Sequence, residues 1–299
     1  MKNLFRSILS IVLIFSAGSV AADAMVWEVS KGKEKMYIGG TIHMLKASDH
    51  PLPVEYAKAY ELSDIVVTEV DMLAMQSPQV QQQVMAKSML PAGQSLQTIL
   101  DKPTYERLSN TMAEKGMSIA MFNTFKPSMV MLTLTVLEFQ KLGFSQKHGV
   151  EMTYNTKAKK DKKSEIALET VDEQLNLLLN MADGNESSLV NYNLDELADI
   201  AALFDKAVKA WRNGDADALF KILADDLKQK YPKLYDSLLT QRNKNWMPRL
   251  EGFLNTRPDE LILVGALHLA GPGNVLSLLK EKGYKVKKLS FANTNGASN

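Results

Sequence analysis

The sequence predicts an α/β fold whose sheet is built from the N- and C-terminal segments of the chain, with a long and mostly helical insertion between them. Two observations predict it. Apolar or β-branched runs of strand length lie at residues 25–29, 35–39, 64–69 and 164–168, and again at 261–264 and 284–289; helical spacing fills residues from about 77 to 145 and from about 171 to 255. One pattern also occurs at both ends, an apolar run followed by Gly-x-x-His. It reads Gly40-Thr41-Ile42-His43 near the start and Gly265-Ala266-Leu267-His268 near the end, and it holds two of the four histidines.

Taken in order, residues 1–24 read as a secretory signal. Lys2 and Arg6 form the charged start, an apolar run from Ile8 to Ala17 follows, and Ala22-Asp23-Ala24 offers a small-x-small cleavage pattern. The apolar run is too short for a membrane span. Residues 25–299 are therefore expected as one mature, soluble domain, periplasmic or secreted, with no membrane span. Without Lys2, Arg6 and Asp23, the 35 basic and 34 acidic residues become 33 of each, which gives no support for nucleic-acid binding. The chain has no cysteine, so a hydrophobic core rather than disulfides must hold an exported protein of this size together.

Residues 25–29 and 35–39 predict a hairpin turning at Lys31-Gly32-Lys33. Residues 53–62 have helical character, and 64–69 form a β-branched strand ending in Glu69. Helices are predicted at 79–89, at 102–115 with Gly116 as the stop, and at 127–142, where the side chains are apolar almost all round and imply a buried central helix. Five lysines between Lys157 and Lys163 read as a solvated turn. The next strand, 164–168, runs into Glu169, and Thr170 with Glu173 forms a capping box that opens another helix. From 186 to 255 the pattern is helical, interrupted at Asn213-Gly214-Asp215 and bent or restarted at Pro248. A strand, a helix at 274–282 and a last strand close the chain. The sixteen methionines read as core filler, with a flexible groove for apolar peptides or copper handling as alternatives.

In open α/β sheets ligands collect beyond the carboxyl ends of the strands, which is where His43, Glu69, Glu169 and His268 are predicted to fall. Two imidazoles and a carboxylate, here His43, His268 and Glu69, are a common set for a catalytic divalent metal. A glycine before each histidine would let the backbone turn and another group approach. Glu69, Glu151 and Glu169 are the carboxylates available to accept a proton, and Arg242 could clamp a substrate carboxylate or steady developing negative charge. His50 reads as a loop residue and His148 as a capping or surface residue. The chain has no His-Glu-x-x-His, no Gly-x-Ser-x-Gly and no phosphate-binding loop, so zincin, serine-hydrolase and nucleotide-dependent readings lose their usual support.

Gly40-Thr41-Ile42-His43, Glu69, Gly149-Val150-Glu151, Leu168-Glu169-Thr170, Glu173-Gln174, Arg242-Asn243 and Gly265-Ala266-Leu267-His268, in this order, resemble the TraB/PrgY/GumN family, which includes the animal Tiki proteins. The resemblance covers essentially the whole mature chain. It implies a fold of the erythromycin-esterase-like and ChaN-like type. From the Tiki branch it implies a peptidase using Mn²⁺, Co²⁺ or Zn²⁺ at His43, Glu69 and His268, with Glu151, Glu169 and Arg242 nearby. A peptide or protein substrate is the corresponding expectation. The alternative is non-catalytic capture of a peptide, haem or metal ion in the same crevice. Fold and site transfer further than reaction does.

Overall fold

The predicted hairpin forms, with β1 (Val26–Lys31) and β2 (Glu34–Thr41) paired antiparallel and Gly32 in the left-handed region at φ 66°. This is the computed structural model of the chain, and it describes residues 23–182, 184–255 and 257–290. Residues 1–22 of the predicted signal and the tail from 291 lie outside the described residues. Three further strands, β3 (Ile65–Thr68), β4 (Ser164–Ala167) and β5 (Glu260–Gly265), join β2 in parallel, and β6 (Lys285–Lys288) adds antiparallel to β1. The strand order is β4-β3-β5-β2-β1-β6. The C-terminal β5 thus lies between two N-terminal strands, and the sheet is built from both ends of the chain.

Helix α1 (Val54–Glu61) connects β2 to β3. Between β3 and β4 come α2 (Pro78–Ser88), α3 (Leu96–Ile99), α4 (Lys102–Glu114), α5 (Pro127–Lys141) and α6 (Val150–Asp161). Between β4 and β5 come α7 (Val171–Leu179), α8 (Glu186–Arg212), α9 (Ala216–Leu223), α10 (Asp225–Lys230), α11 (Pro232–Tyr235) and α12 (Gln241–Phe253). Helix α13 (Val275–Glu281) precedes β6. The capping signals hold: Thr170 Oγ1 accepts the Glu173 N–H at the start of α7, and Asp215 Oδ1 accepts the Ala218 N–H where α9 restarts after Gly214.

A main core packs on the sheet, from Val29, Ile38, Val67 and Ile262 to Tyr56, Trp211 and Trp246 on the helices. A second cluster, including Leu108, Met112, Val130, Met131 and Val190, holds α4, α5 and α8 together. Three local expectations change. The lysine-rich segment, expected as a solvated turn, is helical as far as Asp161 and forms the end of α6, with only Lys162 and Lys163 beyond it. Its final residue, Lys163, donates from Nζ to the carbonyls of Tyr60 (2.6 Å) and Ser63, satisfying the end of α1. Helix α12 runs on through Pro248 without restarting. Helix α5 is not buried all round, since Val136 and Leu137 are each 40% exposed. Among the methionines, Met112 and Met131 fill the second core, whereas Met121 is 73% exposed.

Candidate functional site

Four parallel strands end at one edge of the sheet, and the polar residues singled out above follow them. The register pairs Thr41 with Gly265, Leu263 with Thr68, and Thr68 with Ala167, so the four ends lie within two residues of one another. Pairing continues past β4, where the N–H groups of Leu168 and Glu169 donate to the carbonyls of Thr68 and Glu69, both at 2.8 Å. That holds Glu169 beside Glu69. The end of β2 is fastened separately: Trp211 donates Nε1–H to Gly40 O at 2.7 Å, and Tyr56 donates its hydroxyl to the same carbonyl.

The glycines of the two repeats serve close approach rather than turning, because neither Gly40 nor Gly265 has a positive φ. A methyl group on Gly265 would lie 3.2 Å from Glu69 Oε1, 3.6 Å from His43 Nε2 and 3.6 Å from His268 Cδ2. The three predicted ligands therefore surround one point, although they come from opposite ends of the chain. Gly149 permits a second close approach, since any Cβ there would run into the carbonyl of His43. With that contact made, Val150 N–H donates to Ile42 O and the first turn of α6 delivers Glu151 to His43.

Each imidazole is oriented through Nδ1. His43 Nδ1 lies 2.6 Å from Glu151 Oε1, which also accepts the Thr41 hydroxyl. His268 Nδ1 lies 2.6 Å from Asn243 Oδ1, and the Trp246 ring packs against it at 4.4 Å between centroids. An acceptor at Nδ1 makes that nitrogen the protonated one and leaves Nε2 as the atom offered to the cleft. Glu69 Oε1 accepts the Gly265 N–H at 2.6 Å and lies 3.7 Å from His268 Nε2. Its other oxygen accepts from Arg242 Nη2 at 2.6 Å.

Arg242 is bound on every side. Nε and Nη2 donate to the two oxygens of Glu169, both at 2.8 Å, and Nη1 reaches Leu238 O at 3.4 Å and His268 Nε2 at 3.0 Å. Trp246 Nε1–H adds a bond to Glu169 Oε1 at 2.8 Å. With each N–H directed at a protein acceptor, the guanidinium holds the site together and keeps none free for a substrate carboxylate.

Burial lowers the His268 pKa to about 3, so this ring is neutral at ordinary pH. Burial alone would raise the Glu69 carboxyl, but His268, Arg242, His43 and the Gly265 N–H outweigh it and hold it at about 2. The Glu151 carboxylate raises the His43 pKa; 64% of that side chain is exposed, and water there weakens the pull without reversing it.

The donor set suits a divalent cation: two imidazoles fixed through Nδ1, and a carboxylate held ionised. Among the described residues no three ligand side chains already stand in coordinating geometry, and Arg242 shares His268 Nε2 and Glu69 Oε2. Sequence reading passed over Asn243, Trp246, Thr41 and Gln174, whose Nε2 is 3.5 Å from Glu69 Oε2, as site residues in their own right. Only the placement of Asn243 and Trp246 one and four residues after Arg242 on one helix could have pointed to them. His50 and His148 pair with each other, His50 Nε2 lying 2.9 Å from His148 O, and neither lines the cleft.

The uncharacterized protein YbaP of Escherichia coli (strain K12) is 27% identical over 249 residues, covering 83% of this chain and 89% of the relative. The protein of the same name in Shigella flexneri matches equally, at 27% over 249 residues. No solved structure matches the chain. The model of the TraB/PrgY/gumN family matches residues 25–288 of the 299, and the protein belongs to that family.

Proposed function

We propose that the protein is an exported metal-dependent hydrolase, most simply a peptidase, acting in the periplasm or outside the cell. The observation that carries this reading is the meeting of His43 Nε2, Glu69 Oε1 and the His268 ring around Gly265. A divalent ion (Mn²⁺, Co²⁺ or Zn²⁺) would be held by His43, Glu69 and His268; when bound, such an ion polarises a carbonyl and makes its water more acidic. The chain's own residues do the rest. Glu151 and Asn243 fix the tautomers of the two imidazoles, and Arg242 holds the Glu69 carboxylate in place.

Hydrolysis also needs a group that takes a proton from water and returns one to the leaving amine. Both Glu169 oxygens are occupied by Arg242, whereas Glu151 Oε2 is buried with no partner among the described residues. We therefore assign proton transfer to Glu151, whose Oε1 is linked to the pocket through the hydroxyl of Thr41. No helix among the described residues is long and apolar enough to cross a membrane.

The test is elemental analysis of the purified protein beside His43→Ala and His268→Ala, followed by cleavage of a mixed peptide library under each metal. Both substitutions should remove bound metal and lower cleavage by more than about 100-fold. Wild-type protein that cleaves nothing under any of the three metals would overturn the hydrolase; peptide, haem or metal binding without turnover would replace it with capture.

A further inference from the structure

Beside the polar cluster lies a pocket of about 430 Å³ whose walls are almost wholly hydrocarbon. Leu132, Val136 and Phe139 of α5 form one side, and Phe204, Leu223 and Leu239 contribute the others. His43, Glu69, Arg242 and His268 line the same cavity, so anything held there abuts the reacting end. Its size falls in the range of ligand sites, roughly 300–1,000 Å³, and the mix of apolar walls with a few convergent polar groups is what such sites share. Val136 remains 40% exposed at this wall although α5 has no need to leave an aliphatic residue in water.

We infer that this pocket takes a bulky aliphatic or aromatic side chain of a peptide, next to the bond presented to His43 and His268; the inference rests on the peptidase reading. The charges around the cavity select a peptide over a fatty acid. Every N–H of Arg242 is spent on Glu69, Glu169, Leu238 and His268, and two carboxylates face this one guanidinium. A free carboxylate head group would find no unused N–H on Arg242 and two anions beside it. A neutral amide meets no such opposition, and its carbonyl and N–H suit a cleft edge with both donors and acceptors. Lysine or glutamate in the pocket would lose hydration against hydrocarbon walls with nothing to replace it. Peptides with leucine or phenylalanine at the bound position are therefore preferred over those with alanine or a charged residue.

The test uses the full mature protein and separates binding from turnover. Calorimetric titration with capped Gly-Xaa-Gly amides should show leucine and phenylalanine peptides binding roughly 10-fold to 100-fold more tightly than the alanine peptide. Thr135→Trp, which places an indole in the pocket from a partly exposed site on α5, should erase that difference. Val136→Asp should reduce it through charge rather than bulk, which guards against a folding defect in one variant. Equal affinities for all peptides, selectivity unchanged in both variants, or myristate displacing the phenylalanine peptide would overturn the proposal; the last result would give the pocket to acyl chains. Selective binding without cleavage under any metal would retire the hydrolase and leave the pocket assigned. Cleavage with no preference for an apolar residue would do the reverse.

Discussion

A single hydrogen atom on the α-carbon of Gly265 decides how close the two ends of the chain can come. With φ −49° and ψ 134° the backbone there suits any residue, so replacing Gly265 by alanine introduces only a methyl group and no backbone strain. That methyl would sit 3.2 Å from Glu69 Oε1, the atom that accepts Gly265 N–H at 2.6 Å. Glu69 must give by a few tenths of an ångström, and Arg242, bonded to its other oxygen, resists. Gly265→Ala should change stability by no more than about 1 kcal/mol, while a displaced carboxylate should lower the proposed peptidase activity roughly 10-fold to 100-fold. Urea unfolding and kcat/KM on one preparation decide it; a loss of stability with unaltered activity would show that the glycine matters only for packing. The need for a small residue was legible in the paired Gly-x-x-His motifs, but its reason was not. A turn and a close approach both select glycine, and only the backbone angles separate them. Arg242 illustrates the same limit, because nothing in its neighbours along the chain announces that Glu69, Glu169, Leu238 and His268 absorb its donors.

Among the elements, β5 carries an imbalance of its own. At its start Glu260 is 2% exposed, and its Oε2 is buried without a hydrogen-bond partner among the described residues. Burial pushes its pKa up to about 7 from 4.5, and the carboxylates of Asp259 and Asp64 push the same way. The sign follows from linkage: below pH 4.5 the group is protonated whether folded or unfolded, and its cost grows as pH rises to about 7. A shift of this size amounts to about 3 kcal/mol once the folded carboxyl is ionised. Glu260→Gln should therefore stabilise the protein by up to that amount at pH 8 and by much less at pH 5, read by urea unfolding at both. Equal effects at the two values would mean that charge is not the cause. Strand β5 was plain in the sequence from its unbroken apolar run, whereas the burial of the acid just before it was not. An acidic residue at a strand's first position normally marks exposure. The apolar circumference of α5 was equally visible, yet it could not distinguish a helix buried all round from one whose spare face lines a pocket. Periodicity reports how much of a helix is apolar and leaves open what the apolar surface meets.

At the scale of the molecule, function and fold depend on the same long-range event. Strand β5 pairs with β2 on one side and with β3 on the other, so the sheet is continuous only after residues beyond 259 have been placed among strands made near the N-terminus. Both ends of that event carry an imidazole, and neither half of the chain alone contains His43 and His268. This explains why the architecture was legible in the sequence: of the six strand-length runs only 164–168 lies mid-chain, and the rest leave few ways to be buried except against one another. A chain ending at Asn255 would lose β5 and β6 together, separating the β3–β4 pair from the β1–β2 hairpin and exposing the apolar edges of both. It should show no cooperative urea transition and no fixed near-ultraviolet dichroism. A chain ending at Lys282 would lose only β6, an edge strand paired with β1, and should unfold cooperatively with reduced stability while retaining His268 and with it the proposed metal site. If the shorter chain folds cooperatively, the N-terminal strands and helices form a core without β5, and closure of the sheet by the last strands is not what organises the protein. If neither chain folds, β6 is more than an edge, and the division between a central and a peripheral C-terminal strand fails.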